Sequence, residues 1–318
     1  MKLVTFDVGS GPMAGVLQED RVLDAAQVLG VESGLRDVQA LLELPDQPLE
    51  RLRSSLGTAG ASRPLSSVQL LSPVLRPPTV RDFMVYEGHA SGGGTRKLSE
   101  AWYRLPVFYF SNTLRIFGPD ADIPFPSASE RLDYELEIGL VVGREGSDIH
   151  GEDWLQYAAG FTIFNDWSCR DLQSDEMQVG LGPAKGKDAA SSLGPCVVTL
   201  DELGASIRDG RLHGRCSVRV NGDLWMENDA GTAYHDWGAI LERAARDSRI
   251  VPGDVLGSGT VSGGTIGEAI RNGYKARYLQ AGDTVEMEVE GLGILRNRLS
   301  QPVLSDPNYR FKAKPITV

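Results

Sequence analysis

Residues 131–143, RLDYELEIGLVVG, set the carboxylates Asp133, Glu135 and Glu137 between the apolar Leu132, Tyr134, Leu136 and Ile138. A β-strand sends successive side chains to opposite faces, so this period of two predicts a strand with three acids on one face. The segment then runs on into LVVG, which reads as buried. Neighbouring like charges repel, and a buried carboxylate without a partner favours its protonated form. Two arrangements answer the pattern. Either this is an edge strand with its acids in water, partly paired with Arg131, or a divalent cation gathers Glu135 and Glu137.

Elsewhere the pattern predicts short elements. KLVTFDV and MAGVLQEDRVLDA read as strands joined by glycine turns. LRDVQALLELP and QPLERLRSSLG carry leucines at helical spacing and stop at Pro45 and Gly57. Residues 1–75 are thus expected to form a small α+β domain. The proline-rich SPVLRPPTVRDF reads as a linker into a larger domain, residues 76–318. There, Asn221-Gly222 between strand-like runs predicts a hairpin, and DWGAILERAARD predicts a helix capped by Asp236. GDVLGSGTV and GDTVEMEVEGLGIL read as β-rich. No regular βαβ alternation occurs, so the expected fold is a mostly β α+β roll.

Composition narrows the function. The net charge of −11 makes nucleic acid or an anionic membrane a poor partner. No run of about 18 apolar residues is present, so no membrane span is expected. KLVTFDVGSG lacks the marks of a signal peptide. Three cysteines (Cys169, Cys196, Cys216) without a CxxC point to free thiols in a reducing cytoplasm. With only four histidines, a histidine-rich zinc site is not expected, and a metal would be held by oxygen.

Three segments carry the candidate chemistry. In GFTIFNDWSCRDLQ, Asp166 stands where an apolar strand ends, as a ligand or as the N-cap of the following helix. Arg170 and Gln173 share a face of that helix, and GLGPAKGKD adds Lys185 and Lys187. Arginine offers a planar fork to a carboxylate and lysine a point charge to an oxyanion, which suits an anionic, oxygen-rich substrate. In RDFMVYEGHA, His89 lies between acids (Asp82, Glu87) and a glycine-rich loop expected to act as a lid. A carboxylate beside the ring would orient it and raise its basicity, as a general base requires. GSGTVSGG lacks the GKS/T of a phosphate loop and reads as turn-forming glycine.

RDFMVYEGHA, LDYELEIGLVVG, FNDWSCRDLQ…GLGPAKGK and PGDVLGSGTVSGG occur in this order over residues 81 to about 264, and together they resemble the fumarylacetoacetate hydrolase family. GDTVEMEVEGLGILRNR extends the likeness almost to the end. The resemblance implies a mixed β roll or barrel around a metal, a small N-terminal α+β domain and a homodimer. It implies Glu135, Glu137 and Asp166 as ligands of Mg²⁺, or of Ca²⁺ or Mn²⁺. Asp82 matches a fourth ligand found in the fumarylacetoacetases proper. By the same likeness His89 activates water, Arg170, Gln173 and Lys187 surround the oxyanion, and Thr260 meets a substrate carboxylate. Glu268 or its rival Glu87 would orient His89. Met84 departs from the tyrosine of the fumarylacetoacetases, and Gly92 from the glutamate of some short members. The implied activity is hydrolysis of a carbon–carbon bond in a 1,3-diketo acid of fumarylacetoacetate or acylpyruvate type, in aromatic-compound or amino-acid catabolism. The alternatives are decarboxylation of a 2-oxo acid, or isomerisation or hydration of a 2-oxo-alkene-dioate.

Overall fold

The acidic run is not a single strand. Leu132–Asp133 pairs with Ser168–Cys169, the chain leaves the ladder at Tyr134 and Glu135, and Leu136–Val142 pairs anew with Ala158–Asp166. At the break the Glu135 amide donates to the Asn165 side chain, 3.1 Å away. Leu136–Val142 is buried at every position and has a second antiparallel neighbour, Val255–Gly257. This excludes the water-facing edge strand. The apolar LVV continuation seats the strand inside the sheet, and its acids go in with it.

The computed structural model describes residues 1–32, 34–58 and 61–304; the end of the expected second domain, 305–318, lies outside them. From Leu136–Val142 the sheet runs through Ala158–Asp166 and Ser191–Thr199 to Lys2–Asp7, Pro12–Gln18 and Arg21–Asp24. On the other side it runs through Val255–Gly257 and Val80–Phe83 to Phe108–Phe110. It is open at both ends, and among the described residues no barrel closes. The fold is α+β and strand-dominated.

The N-terminal strands join the sheet where Leu3 pairs with Val197. The helices Val38–Leu42 and Pro48–Ser55 bury Val38, Leu41 and Leu52 against Val141, Phe164 and Val197. Each such side chain contributes about 1.5–3 kcal/mol when fully buried. The proline-rich segment is only partly a linker. Its prolines end at Pro78, and Val80–Phe83 forms a buried strand parallel to Val255–Gly257.

A second sheet of five strands is built on the Arg215–Val220 and Asp223–Asp229 hairpin. At its turn Asn221 and Gly222 both have positive φ, +53° and +89°, as a tight hairpin turn requires. Val218, Met287 and Leu295 of this sheet share a core with Phe161 and Ile163. The helix Trp237–Ala245 buries Trp237, Ile240 and Leu241 and is capped by Asp236, which accepts from the Ala239 amide at 2.8 Å. Cys169, Cys196 and Cys216 are buried free thiols, and among the described residues no helix is long and apolar enough to cross a membrane.

Candidate active site

Three strands of the large sheet, two of them separated by Val255–Gly257, bring Asp82, Glu137 and Asp166 together. Asp82 sits in Val80–Phe83 opposite Gly257, Glu137 in Leu136–Val142 opposite Phe164, and Asp166 ends Ala158–Asp166. One oxygen from each lies within 4.8 Å of the other two, and all three residues are buried. Oδ1 of Asp82 and Oδ1 of Asp166 are buried with no hydrogen-bond partner among the described residues. Burial, with the Asp166 charge next, pushes Asp82 well above the usual carboxylate range. Burial and the charges of Asp82, Glu135 and Asp166 do the same to Glu137. Burial also raises Asp166, although Lys187 opposes it. Orphaned oxygens and repelling acids at this spacing fit a divalent cation, whose oxygen ligands they would be.

The backbone is shaped to this cluster. Gly259 has φ +77°, its amide donates to Glu137 at 3.0 Å, and a Cβ there would stand 2.2 Å from the Phe83 carbonyl. A Cβ on Gly257 would come within 2.9 Å of the unpartnered Asp82 Oδ1. Asp166 is not a helix N-cap: the helix Arg170–Val179 is preceded by Cys169, whose side chain makes no capping bond.

Asp133 and Glu135 have different neighbours. Asp133 accepts from Arg170 Nε at 2.7 Å and from the Ile266 amide at 2.9 Å. Glu135 is paired with Arg170 at 2.8 Å and with Lys187 at 2.5 Å. Burial would raise Glu135, but Lys187 and Arg170 outweigh it and hold the acid below its ordinary range. Lys187 Nζ also reaches Asp166 and Ser168, both at 2.6 Å, so all three of its N–H bonds are engaged. Burial opposes its charge; Asp166 and Glu135 keep it protonated. Arg170 further donates to Gln173 Oε1 at 2.9 Å, which leaves the Gln173 amide NH₂ as the end available to a ligand. Lys185 instead lies outside, paired with Asp188.

Opposite the acids stands His89, in the short helix Glu87–Ala90. Its Nδ1 is 3.1 Å from Glu268 Oε2. Burial would raise Glu268, but its bond to His89 and the Thr265 hydroxyl hold it low, so it is an acceptor. A proton on Nδ1, donated to this carboxylate, leaves Nε2 as the atom that can carry the ring's lone pair. Thr265 caps the helix Ile266–Arg271 and donates to Glu268 at 3.0 Å. Glu87 accepts from the Tyr103 hydroxyl at 2.6 Å and is not the acid at His89.

These groups share a cavity of 340 Å³ lined by Asp82, His89, Glu135, Glu137, Gln173, Lys187 and Thr260. The Thr260 hydroxyl is buried there without a partner among the described residues. Arg170 does not line it and reaches it through Gln173 and Glu135. Sequence reasoning missed Tyr109, whose hydroxyl lies 2.7 Å from Asp82 and 2.5 Å from Asp166. A phenol has one proton to donate, so it serves one acid at a time. The signal was the polar member of the aromatic run FYF, which a strand turns away from Phe108 and Phe110.

The model of the fumarylacetoacetate (FAA) hydrolase C-terminal domain matches residues 79–300. The mitochondrial oxaloacetate tautomerase Fahd2a of Rattus norvegicus is 30% identical over 284 residues, 85% of each chain. The fumarylacetoacetate hydrolase of Exiguobacterium antarcticum superposes with a TM-score of 0.72 at 25% identity, covering 95% of this chain and 99% of that one. Maleylpyruvate hydrolase from Sphingobium sp. SYK-6, solved with manganese and pyruvate, shares the fold with a TM-score of 0.73 at 19% identity, covering 95% and 100%.

Proposed function

The chain belongs to the fumarylacetoacetate hydrolase family, and from that footing we propose that it is a divalent-metal-dependent hydrolase of a carbon–carbon bond in a 1,3-diketo acid of acylpyruvate or fumarylacetoacetate type. The observation that carries the reading is that His89, paired with Glu268, lines one cavity with Asp82 and Glu137 of the acidic cluster that Asp166 completes. Asp82, Glu137 and Asp166 would hold Mg²⁺ or Mn²⁺, with Glu135 beside them. Once bound, the cation would supply Lewis acidity to the substrate's oxygens.

The chain's own groups do the rest. Nε2 of His89 takes a proton from water, and the oxygen of that water forms a bond to C4 of the substrate. Glu268, at Nδ1, stabilises the imidazolium that results. The Gln173 amide, whose NH₂ is free, donates to the oxyanion at C4, a kind of donor that typically contributes about 2.7–4 kcal/mol, and Lys187, its N–H bonds held by Glu135, Asp166 and Ser168, adds only its charge. The Thr260 hydroxyl receives the 1-carboxylate. As the C3–C4 bond breaks, its electron pair passes to C3, and His89 returns the proton there. From an acylpyruvate the products are a carboxylic acid and pyruvate; from fumarylacetoacetate, attacked in the same way at the carbonyl beside its alkene, they are fumarate and the 3-oxo acid acetoacetate. Three buried thiols suit a reducing compartment, and the working form would be a homodimer.

A second reading rests on the tautomerase relative. The same Nε2 can remove a proton from C3 of oxaloacetate and return it to oxygen, with no water consumed. A panel of acylpyruvates, fumarylacetoacetate, oxaloacetate and a 2-oxo-heptenedioate, with Mg²⁺ and then with excess EDTA, separates the two by mass spectrometry. Two acid fragments that vanish with EDTA support the hydrolase. An unchanged mass with keto–enol exchange or a moved double bond replaces it with the second reading.

A further inference from the structure

The two ends of the cavity differ in kind. The inner end holds the acids, His89, Lys187 and the unpartnered Thr260 hydroxyl. The outer end is walled by Met84, Val107, Phe108, Met177, Leu181 and Pro183. Met177 is 55% exposed in the last turn of the helix Arg170–Val179, and Leu181 is 86% exposed two residues beyond the helix end. Exposed apolar side chains that continue a cavity lined by polar groups mark a surface for a ligand.

Among the described residues, no cation lines this outer end. Among the described residues lining the cavity, Lys187 is the one lysine or arginine, and its three donors are engaged. Nearby, Arg96 is held on the Ala90 carbonyl and Lys185 is paired with Asp188; neither lines the cavity. Arg271 stands beside Gly93, also outside the lining. A carboxylate at the far end of a substrate would lose water here and gain no counter-charge.

We propose that the site takes a 2-oxo acid whose far end is uncharged and apolar, and that Met177 and Leu181, together with Met84 and Val107, select it. This rests on the reading of the inner end as the seat of a 2-oxo acid. It separates an alkanoylpyruvate, as substrate, from a diketo acid bearing a terminal carboxylate.

The test uses the Mg²⁺-loaded protein and two probes that lack the second oxo group, 2-oxooctanoate and 2-oxooctanedioate, with affinities read by calorimetry. The monoacid should bind about tenfold or more tightly than the diacid. Affinity should also climb about threefold per methylene from pyruvate to 2-oxooctanoate. Leu181→Arg, at an exposed position, should bring the two probes within about threefold and leave pyruvate unchanged. Equal affinities in the unaltered protein, or tighter binding of the diacid, would overturn the proposal. So would a ratio that Leu181→Arg leaves unchanged while light scattering shows dissociation, since the rim would then be a contact between copies. Because neither probe can be cleaved, loss of the hydrolase reading would leave this ratio standing. Failure of every 2-oxo acid to bind would overturn the reading of the inner end and the proposal together.

Discussion

One short segment feeds two groups of buried acids, and their fates diverge. Asp133 and Glu135 meet Arg170 and Lys187 and are held as ion pairs. Glu137, two residues on, meets Asp82 and Asp166, and this group shares one side of a single lysine. Arg170 and Lys187 are too few for five acids. The first group is complete as folded, whereas the second has oxygens without partners. A chain that had only to be stable would not collect such acids, because a buried carboxylate unpaired costs more than any nearby hydrogen bond returns. Asp133 and Glu135 are closed into ion pairs, whereas Asp82, Glu137 and Asp166 carry the unpartnered oxygens that a divalent cation fits.

The difference can be attacked from both sides. Glu137→Ala should abolish metal-dependent turnover in a chain that still folds, as judged by circular dichroism. Full activity in that variant would remove the metal assignment. His89→Ala should lower kcat by about 10²- to 10⁴-fold while leaving the heat of Mg²⁺ binding intact. On the paired side, Arg170→Met strands Asp133 and Glu135 and should cost about 3–5 kcal/mol in denaturant unfolding. A small loss there would mean that the pairing is incidental.

pH should move the two groups in opposite directions. Asp82 and Glu137 are raised above their ordinary 3.8 and 4.5, so the metal-free fold holds their protons more tightly than the unfolded chain does. Their part of the stability is therefore full below the ordinary values and is lost as pH rises toward the raised ones. Glu135 is lowered, so its part is present above 4.5 and lost in acid. Metal binding displaces protons from the first group, so the melting-temperature gain on adding Mg²⁺ should grow with pH. A gain that is flat in pH would contradict this. The smallest effect expected is that of Tyr109→Phe, about 1 kcal/mol in the metal-free protein and less once Mg²⁺ is present.

Local features were legible wherever a local rule decides them. Asn221-Gly222 specifies its own turn, and Asp236 caps its own helix. Periodicity found the acids but left the strand's place open, because alternation alone does not distinguish a wet edge from a buried centre. Only the sheet order, with neighbours on both sides of Leu136–Val142, decides that. His89 and Glu268 are 179 residues apart, so no local pattern joins them, and the choice between Glu268 and Glu87 needed coordinates. Tyr109 was hidden in a run that reads simply as aromatic strand. The resemblance supplied candidates whose neighbours then had to be read from the fold: Lys187 proved saturated with acids, and Arg170 turned away from the cavity.

The most direct measurement is a calorimetric titration of the metal-free chain with Mn²⁺, run beside Glu137→Gln. Saturable binding of one ion per chain with release of protons, absent from Glu137→Gln, is the predicted result. Saturable binding unchanged in Glu137→Gln, or no saturable binding at all, would contradict the assignment of Asp82, Glu137 and Asp166 as a metal centre.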